Sequence, residues 1–282
     1  MSKTVWITGA SSGIGKVTAK LFLQQGYTVC AGARRTERMR DLERMGAHIF
    51  YLDVTDAQSC EKFVRDSCEQ TGRVDILINN AGYGEYGPVE TVSEEKAQRE
   101  MDTVVFGAVR MTKLCVPLMR EKGGRIVNVI SAGGRAVTYM GGWYHASKFA
   151  LEALSDSLRM ELEPQGIQVA VIEPGGVKSA FGEQAAQNLS ASVEGTVYEK
   201  DGKIVADVYR RVYGEKNKML TTADKAAKMI YRAAAAKRPK TRYLFGFGAR
   251  SLLILQALLP QRAYDRLMRR MYTAEITQKL IK

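Results

Sequence analysis

Short apolar runs alternate with amphipathic stretches along most of the chain. The apolar runs predict strands of a parallel sheet, because such strands are covered on both faces. The stretches between them repeat apolar residues at helical spacing, and glycines such as Gly26 and Gly46 end them. The predicted strands are Thr4–Thr8, Tyr27–Ala33, His48–Leu52, Val74–Ile78, Arg125–Ile130, Ile167–Ile172 and Arg242–Phe245. This alternation predicts an α/β fold with a doubly wound parallel sheet.

The regular alternation stops after Gly176. Residues 177–220 are mixed in character and too long for an ordinary connection, so we expect an irregular lid or substrate loop there. A helix over 223–236 and the last strand follow. The pattern therefore predicts a single domain over residues 1–248 and a C-terminal extension over residues 249–282.

Charge is concentrated at the C-terminal end. The chain has a formal net charge of +12, and residues 237–282 hold 11 basic and 2 acidic side chains, or +9 of that total. Within this segment the apolar run Leu252–Leu259 is far too short to span a membrane. The segment either packs on the domain and screens the substrate pocket, or makes a peripheral contact with an anionic membrane. It contains no nucleic-acid recognition motif, so no nucleic-acid partner is predicted.

The cysteines and histidines do not predict a metal site. The four cysteines lack CxxC or zinc-site spacing, and the chain has only two histidines. Unpaired cysteines are typical of an intracellular protein, and no signal peptide precedes the first strand. We therefore expect a cytoplasmic protein.

A glycine-rich stretch, residues 9–15, lies between the first strand and the first helix. Glycines let the backbone approach a pyrophosphate, and the helix N-terminus offers free N–H groups and a positive dipole. A Gly/Ser turn without a ligand is the alternative. The position of the glycine-rich stretch between a buried strand and a helix favours dinucleotide binding.

Arg34 and Arg35 follow the second strand, and residues 31–35 contain no acid. In a dinucleotide-binding fold this strand end faces the adenine ribose, where an acid marks NAD and an arginine accommodates the 2′-phosphate of NADP. The two arginines could instead be a solvated helix entry. Their position favours NADP(H).

Tyr144 and Lys148 are spaced as i,i+4 neighbours at the start of a predicted helix. An ammonium about 4 Å from a phenol in a partly dry cleft favours phenolate by roughly 4 kcal/mol, or about 3 pKa units, at an effective dielectric near 20. Such a tyrosine could exchange a proton with a ketone or an alcohol. The alternative is a helix tyrosine beside a solvated lysine.

Several motifs together resemble the short-chain dehydrogenase/reductase family. They are Thr8-Gly9-xxx-Gly13-x-Gly15, Asn79-Asn80-Ala81-Gly82, Ser131, Tyr144 with Lys148, and Pro174-Gly175. The resemblance covers about residues 4–245 and is strongest to the branch that contains hydroxysteroid and retinol dehydrogenases. It implies a Rossmann-like fold and a reaction between a carbonyl and an alcohol.

The resemblance also implies roles for individual residues. Tyr144 would be the general acid/base, Lys148 would lower its pKa and hold the nicotinamide ribose, and Ser131 would hydrogen-bond the substrate carbonyl. The pyrophosphate would lie against Gly9, Ser11, Ser12, Gly13, Ile14 and Gly15. The remaining contacts, from the 2′-phosphate and adenine to the nicotinamide, would be made by Arg34, Arg35, Asp53, Val54, Asn80, Ala81, Gly82, Pro174, Gly175, Val177 and Ser179.

One position departs from the family pattern. Val104 stands where the family has a catalytic asparagine, which is thought to steady a water touching the catalytic lysine. Valine can neither donate nor accept a hydrogen bond. We therefore expect impaired proton return, and an increase of kcat by at least about tenfold in Val104→Asn.

Together these observations predict an NADP(H)-dependent oxidoreductase that interconverts a carbonyl and an alcohol on a lipophilic substrate. The alternative is a catalytically weak NADP-binding sensor or scaffold of the same fold, because Val104 replaces the asparagine. The resemblance further implies a homodimer or homotetramer formed through two long helices, predicted at Ser93–Met119 and Trp143–Glu163.

Overall fold

A computed structural model describes residues 2–214 and 217–273 of the chain. Residues 215–216 of the predicted substrate loop and residues 274–282 of the predicted extension lie outside the described residues. Within the described residues, no helix is long and apolar enough to cross a membrane.

Seven parallel strands form one sheet in the order β3-β2-β1-β4-β5-β6-β7. The order reverses between β1 and β4, and in sheets of this kind ligands bind at such a switch point beyond the carboxyl ends of the strands. The strands are β1 Thr4–Thr8, β2 Thr28–Ala33, β3 His48–Tyr51, β4 Ile76–Asn79, β5 Gly124–Val129, β6 Ile167–Pro174 and β7 Arg242–Phe245. The predicted Rossmann-like parallel sheet is confirmed.

Helices cover both faces of the sheet. They are α1 Gly13–Gln24, α2 Arg40–Arg44, α3 Ala57–Thr71, α4 Glu94–Met101, α5 Gly107–Met119, α6 Gly142–Leu162, α7 Phe181–Val193, α8 Glu199–Val212, α9 Ala223–Ala235, α10 Ala249–Leu258 and α11 Gln261–Thr273. Neighbouring residues of β1 serve opposite faces: Ile7 belongs to the core under α1 and α9, and Trp6 to the core under α3 and α5. Both side chains are fully buried, which explains why β1 is apolar at successive positions.

Two sequence-based expectations need correction. Residues 177–220 are not irregular, because most of them form α7 and α8, which pack against each other. The long helix predicted from Ser93 to Met119 is interrupted by a π-helical turn at Asp102–Phe106, which separates α4 from α5. π-helical turns occur frequently at functional sites, and this one contains Val104.

Candidate active site

The glycine-rich loop is tied to the end of β4. The Thr8 hydroxyl accepts hydrogen bonds from the backbone N–H groups of Asn80 and Ala81, each at 3.0 Å. The Asn80 side-chain amide donates back to the Thr8 carbonyl at 3.0 Å and the Gly9 carbonyl at 3.3 Å. The Asn80 side chain, expected near the adenosine ribose, thus braces the loop. The two strand ends at the switch point form a preorganised cradle.

Gly15 lies where the cradle is tightest. A Cβ at Gly15 would lie 2.4 Å from Asn80 Nδ2 and 2.5 Å from the Gly9 carbonyl oxygen. Because one of these neighbours is backbone, the loop itself would have to move. Gly15 is therefore required for the close approach of α1 to the loop.

We expect Gly15→Ala to lower the free energy of unfolding by about 1–3 kcal/mol, the usual cost of overpacking. It should also weaken NADPH binding, because the displaced loop is the predicted pyrophosphate cradle. Chemical denaturation and NADPH fluorescence titration measure the two effects. Gln24→Ala, at an exposed position of the same helix, is the control. Unchanged stability and affinity in Gly15→Ala would contradict the assignment.

The loop after β6 faces the glycine-rich loop. The Ser179 Cβ lies 4.0 Å from the point where a Cβ at Gly13 would stand. The Gly175 N–H donates to the Phe245 carbonyl at 2.8 Å, and Val177 pairs with Thr221, so this loop is anchored to β7 and to the segment before α9. The predicted pyrophosphate and nicotinamide contacts therefore line the two sides of one cleft.

At the predicted adenosine end, Arg34 projects from the end of β2 and is 67% exposed. Its Nη1 atom lies 4.0 Å from Asp53 Oδ2, at the end of β3. Arg35 is also exposed, whereas Val54 is buried. The structure thus brings Arg34 next to Asp53, and both follow neighbouring strands at the carboxyl edge of the sheet.

Ser131, Tyr144 and Lys148 converge at the carboxyl edge of β5. The Ser131 hydroxyl accepts from the Gly133 N–H at 3.0 Å and donates to the Pro174 carbonyl at 3.4 Å, and it lies close enough to Tyr144 to lower the pKa of its phenol. Lys148, one helical turn further along α6, places its Nζ 5.9 Å from the centre of the Tyr144 ring. Tyr144 and Lys148 are each only 7% exposed. The three predicted catalytic side chains therefore form one buried group.

The expected lowering of the Tyr144 pKa by Lys148 is wrong for this closed arrangement. Burial raises the pKa of Tyr144 above its ordinary value, and the hydrogen bond with Ser131 lowers it only in part. Burial also lowers the pKa of Lys148 to about 8. The cause in both cases is a dry environment, which disfavours phenolate and ammonium alike.

An aromatic wall covers Tyr144, and sequence reasoning missed it. Tyr86 stacks on the Tyr144 ring with centroids 5.0 Å apart, and Phe181 of α7 lies 5.6 Å from the same ring. Tyr209 of α8 packs on Tyr86 at 4.7 Å, and Tyr272 of α11 reaches Tyr209 at 5.8 Å. The available signal was the tyrosine content of residues 198–213, which gives no indication of what the rings contact.

His145, next to Tyr144, positions the loop that carries Ser131. Its Nε2 accepts from the Thr138 N–H at 2.9 Å, so its Nδ1–H donates to the Gly133 carbonyl at 2.9 Å. Burial lowers the pKa of His145 to about 4, which keeps the ring neutral at physiological pH. The neutral ring ties both ends of the segment after β5 to α6.

Val104 and Lys148, the predicted catalytic lysine, both lie close to Gly82. Val104 Cγ2 and Lys148 Nζ are each 3.5 Å from the point where a Cβ at Gly82 would stand. Val104 is 1% exposed. An apolar side chain therefore occupies the position next to Lys148 where a polar group was expected.

Comparison with known proteins agrees with this geometry. The sequence model described as "short chain dehydrogenase" matches residues 3–190. The chain is 36% identical over 264 residues to "Probable short-chain type dehydrogenase/reductase VdlC" of Helicobacter pylori, covering 93% of this chain and 95% of that protein. The chain belongs to the short-chain dehydrogenase family. It is therefore an oxidoreductase with a Rossmann-like, nucleotide-binding fold.

The chain is also similar to two named dehydrogenases. "Retinol dehydrogenase 5" of Mus musculus is 32% identical over 275 residues, with 93% of this chain and 86% of that protein covered. An alcohol dehydrogenase from Thermococcus sibiricus, solved with 5-hydroxy-NADP, is 25% identical with a TM-score of 0.70, covering 88% of this chain and 98% of the other. The family assignment supports a nicotinamide cofactor.

Proposed function

We propose that this protein is an NADP(H)-dependent oxidoreductase that interconverts a carbonyl and an alcohol on a lipophilic substrate. The observation that carries the proposal is the convergence of Ser131, Tyr144 and Lys148 beside the braced glycine-rich cradle. A nicotinamide cofactor supplies or accepts the hydride. The chain's own residues supply binding, orientation and the proton.

In the reducing direction the Ser131 hydroxyl orients the substrate carbonyl and Tyr144 donates a proton to its oxygen. Lys148 holds the nicotinamide ribose and stabilises the phenolate that remains. The raised pKa of Tyr144 suits the donor role, because the phenol is protonated at neutral pH. A bound substrate and cofactor replace part of the apolar contact with polar groups, and the tyrosine pKa should then fall toward the working pH.

The preference for NADP(H) is supported by Arg34, which is exposed at the end of β2 and free to turn toward a ribose phosphate. The related alcohol dehydrogenase from Thermococcus sibiricus was solved with an NADP derivative. Asp53 is an acid near this site, but it does not count against NADP(H), because both of its carboxylate oxygens already have partners within the chain. Oδ1 accepts from the Thr55 N–H at 3.0 Å, and Oδ2 lies near Arg34.

The lipophilic character of the substrate is supported by the aromatic wall. The rings of Tyr86 and Phe181 present largely apolar surfaces toward Tyr144, and Tyr209 packs behind Tyr86. A polar substrate would lose its hydration against these rings without regaining hydrogen bonds. Because Phe181 rests on Tyr144, we expect α7 to shift when a substrate enters.

A turnover screen tests the proposal. The purified chain is mixed with a panel of ketones and aldehydes of increasing apolar size, in parallel reactions that contain either NADPH or NADH, and the absorbance of the reduced cofactor is followed. We expect turnover that rises with apolar size and is retained with NADPH alone. NADPH binding without turnover on any carbonyl would instead support the sensor or scaffold alternative.

Self-association is proposed through the two long helices named in the sequence analysis. Large apolar side chains remain exposed on both of them in the described structure. They are Phe106, Leu118, Phe149, Leu154 and Met160. A homodimer or homotetramer would cover them, and light scattering measures the assembly.

The C-terminal extension has two parts. In α11, Tyr264 and Met268 are buried, and the Tyr264 hydroxyl donates to the Val137 carbonyl at 2.7 Å, so this helix packs on the domain. In α10, Ile254 and Leu258 are 54% and 76% exposed. We propose that α10, flanked by arginines, makes a peripheral membrane contact.

We expect the full chain to co-sediment with vesicles of phosphatidylserine and phosphatidylcholine. The double variant Ile254→Glu, Leu258→Glu should reduce the bound fraction at least about tenfold, because each buried apolar side chain contributes about 1.5–3 kcal/mol. Val197→Glu, which changes an apolar residue that is even more exposed and lies outside the extension, is the control. Failure of the unmodified chain to bind vesicles would rule out the membrane contact.

A further inference from the structure

Glu100 is a fully buried carboxylate beside the proposed catalytic group. It lies on α4, four residues before Val104, and its exposed fraction is 0%. Oε1 accepts from the Ser147 hydroxyl at 2.9 Å, and Oε2 accepts from the Glu85 N–H at 2.9 Å. Both carboxylate oxygens thus have a donor within hydrogen-bond distance, and the donor from α6 is the residue directly before Lys148. The Ser147 hydroxyl also lies 2.8 Å from the Tyr144 carbonyl oxygen, so its one proton is shared between the two acceptors.

Lys148 needs a negative partner in this environment. Its side chain is itself buried, with 7% of its surface exposed. Burial lowers the pKa of Lys148 to about 8, and the charge of Glu100 is what opposes that shift. Burial in turn raises the pKa of Glu100 to about 7, and the charge of Lys148 opposes it. Each group therefore favours the ionised form of the other.

We propose that Glu100 is a positioning residue that keeps Lys148 protonated, supplying from α4 the polar support that Val104 does not provide. This inference rests on the proposed function, because it concerns the lysine of the same site. Glu100 acts through Lys148 and has no contact with the reacting atoms. The short distance from Glu100 to α6, through Ser147, allows it to do so without a side chain at position 104.

Other ionisable groups face Glu100 as well. The charge of Glu85 raises the pKa of Glu100. Glu85 in turn forms a salt bridge with Lys96, whose Nζ lies 3.8 Å from Glu85 Oε1. The ionisable groups that act on the carboxylate are Tyr144 and Lys148 from α6 and Tyr83 and Glu85 from the segment after β4. Lys96 and Arg99 of α4 act on Glu85. Lys148 is the cation whose charge most lowers the pKa of Glu100, and Glu100 is the group whose charge raises the pKa of Lys148.

The sign of the pH effect follows from these couplings. Carbonyl reduction needs the ammonium of Lys148 and the phenol of Tyr144, so activity falls as pH rises through the lower of their two pKa values. Above about pH 7 Glu100 is anionic and opposes the loss of the lysine proton. Without that charge the lysine releases its proton at a lower pH. At pH 6 Lys148 is protonated with or without Glu100, so little should change there.

The test is the pH profile of Glu100→Gln, which keeps the shape of the side chain and removes its charge. The alkaline limb of kcat for ketone reduction should move down by about one pH unit, so that kcat at pH 9 falls about tenfold while kcat at pH 6 changes less than about threefold. Glu95→Gln, a carboxylate on the exposed face of the same helix, is the matched control and should keep the wild-type profile. Glu100→Asp should restore the alkaline limb even if it lowers kcat uniformly.

A parallel measurement does not depend on turnover. The dissociation constant of NADPH is measured from pH 6 to pH 9 by fluorescence, because Lys148 holds the nicotinamide ribose in the proposed site. Glu100→Gln should weaken NADPH binding more at pH 9 than at pH 6. A wild type that binds NADPH but reduces no carbonyl would defeat the proposed function, and this binding profile would still decide the role of Glu100.

Val104→Asn gives a second variant should Glu100→Gln fail to fold. The sequence alone predicts an increase of kcat by at least about tenfold, but Glu100 changes that expectation to less than about threefold. A tenfold increase in Val104→Asn would overturn the inference. So would a Glu100→Gln enzyme whose alkaline limb and NADPH binding profile match those of the wild type. In either case the proposed oxidoreductase function would stand.

Discussion

Replacing Tyr144 with phenylalanine should lower kcat for carbonyl reduction by about 10²–10⁴-fold, the usual contribution of general acid–base catalysis. The phenyl ring keeps its contacts with Tyr86 and Phe181, so the fold and the aromatic wall should survive. NADPH affinity should change little, because the hydroxyl is the only group removed. Single-turnover kinetics and NADPH titration separate the two quantities.

Tyr86→Phe is the matched control for this experiment. Tyr86 stacks on Tyr144 and is equally buried, yet it has no part in the proposed proton transfer. The control should keep kcat within about threefold of the wild type. A Tyr144→Phe enzyme that retained wild-type kcat would show that another group donates the proton.

Arg34→Ala should weaken NADPH binding by about 10–100-fold and leave NADH binding nearly unchanged. A guanidinium can hold a ribose phosphate through charge-assisted hydrogen bonds, and the loss of about 1.5–3 kcal/mol, the contribution of one such bond, corresponds to this range. NADH has a ribose 2′-hydroxyl in place of that phosphate, so the arginine makes no comparable contact with NADH. Dissociation constants for both cofactors, measured side by side, give the ratio directly.

The control for Arg34→Ala is Arg40→Ala, which removes an exposed arginine from the same segment. Arg40 pairs with Glu43 at 3.0 Å on the surface of α2. It should leave both dissociation constants unchanged. Equal weakening of NADPH and NADH by Arg34→Ala would mean that the arginine supports the fold of the site and does not select the 2′-phosphate.

The sheet could be predicted from the sequence because its strands are buried on both faces. A strand such as β6 is apolar at successive positions, and this pattern identifies it without any knowledge of its neighbours. The strand–helix alternation predicted a doubly wound parallel sheet, whereas the order of its strands came from the structure. Strand ends were correct to within two residues, since the turn residues that follow them are equally visible in the sequence.

The helices α7 and α8 could not be predicted because their glycines serve packing. A Cβ at Gly202 of α8 would lie 2.7 Å from Val193 of α7, and one at Gly182 would lie 2.1 Å from the Cβ of Tyr213. In sequence such glycines indicate breaks in a helix. In the structure they allow two helices to approach closely, and the contact between the helices stabilises both. Tertiary packing therefore overrides local propensity here.

In the site, the residues carried by motifs were predicted and those carried only by packing were not. Ser131, Tyr144 and Lys148 have a fixed spacing that can be recognised before the fold is known. Glu100 belongs to no such motif. In the sequence of α4, which is polar on nearly every side, nothing distinguishes this buried glutamate from its exposed neighbours. The aromatic wall likewise combines Tyr86 and Tyr209, which lie far apart in the chain.

The position of α11 has a consequence for the growing polypeptide. Six of the seven strands and the cradle formed by the ends of β1 and β4 are complete by Pro174, whereas the wall over Tyr144 waits for α8 and for Tyr272, near the end of the described chain. During synthesis, domains fold from the N-terminal side as residues emerge. A nascent chain should therefore be able to capture NADPH before it can enclose a substrate. The captured nucleotide would stabilise the unfinished protein by mass action.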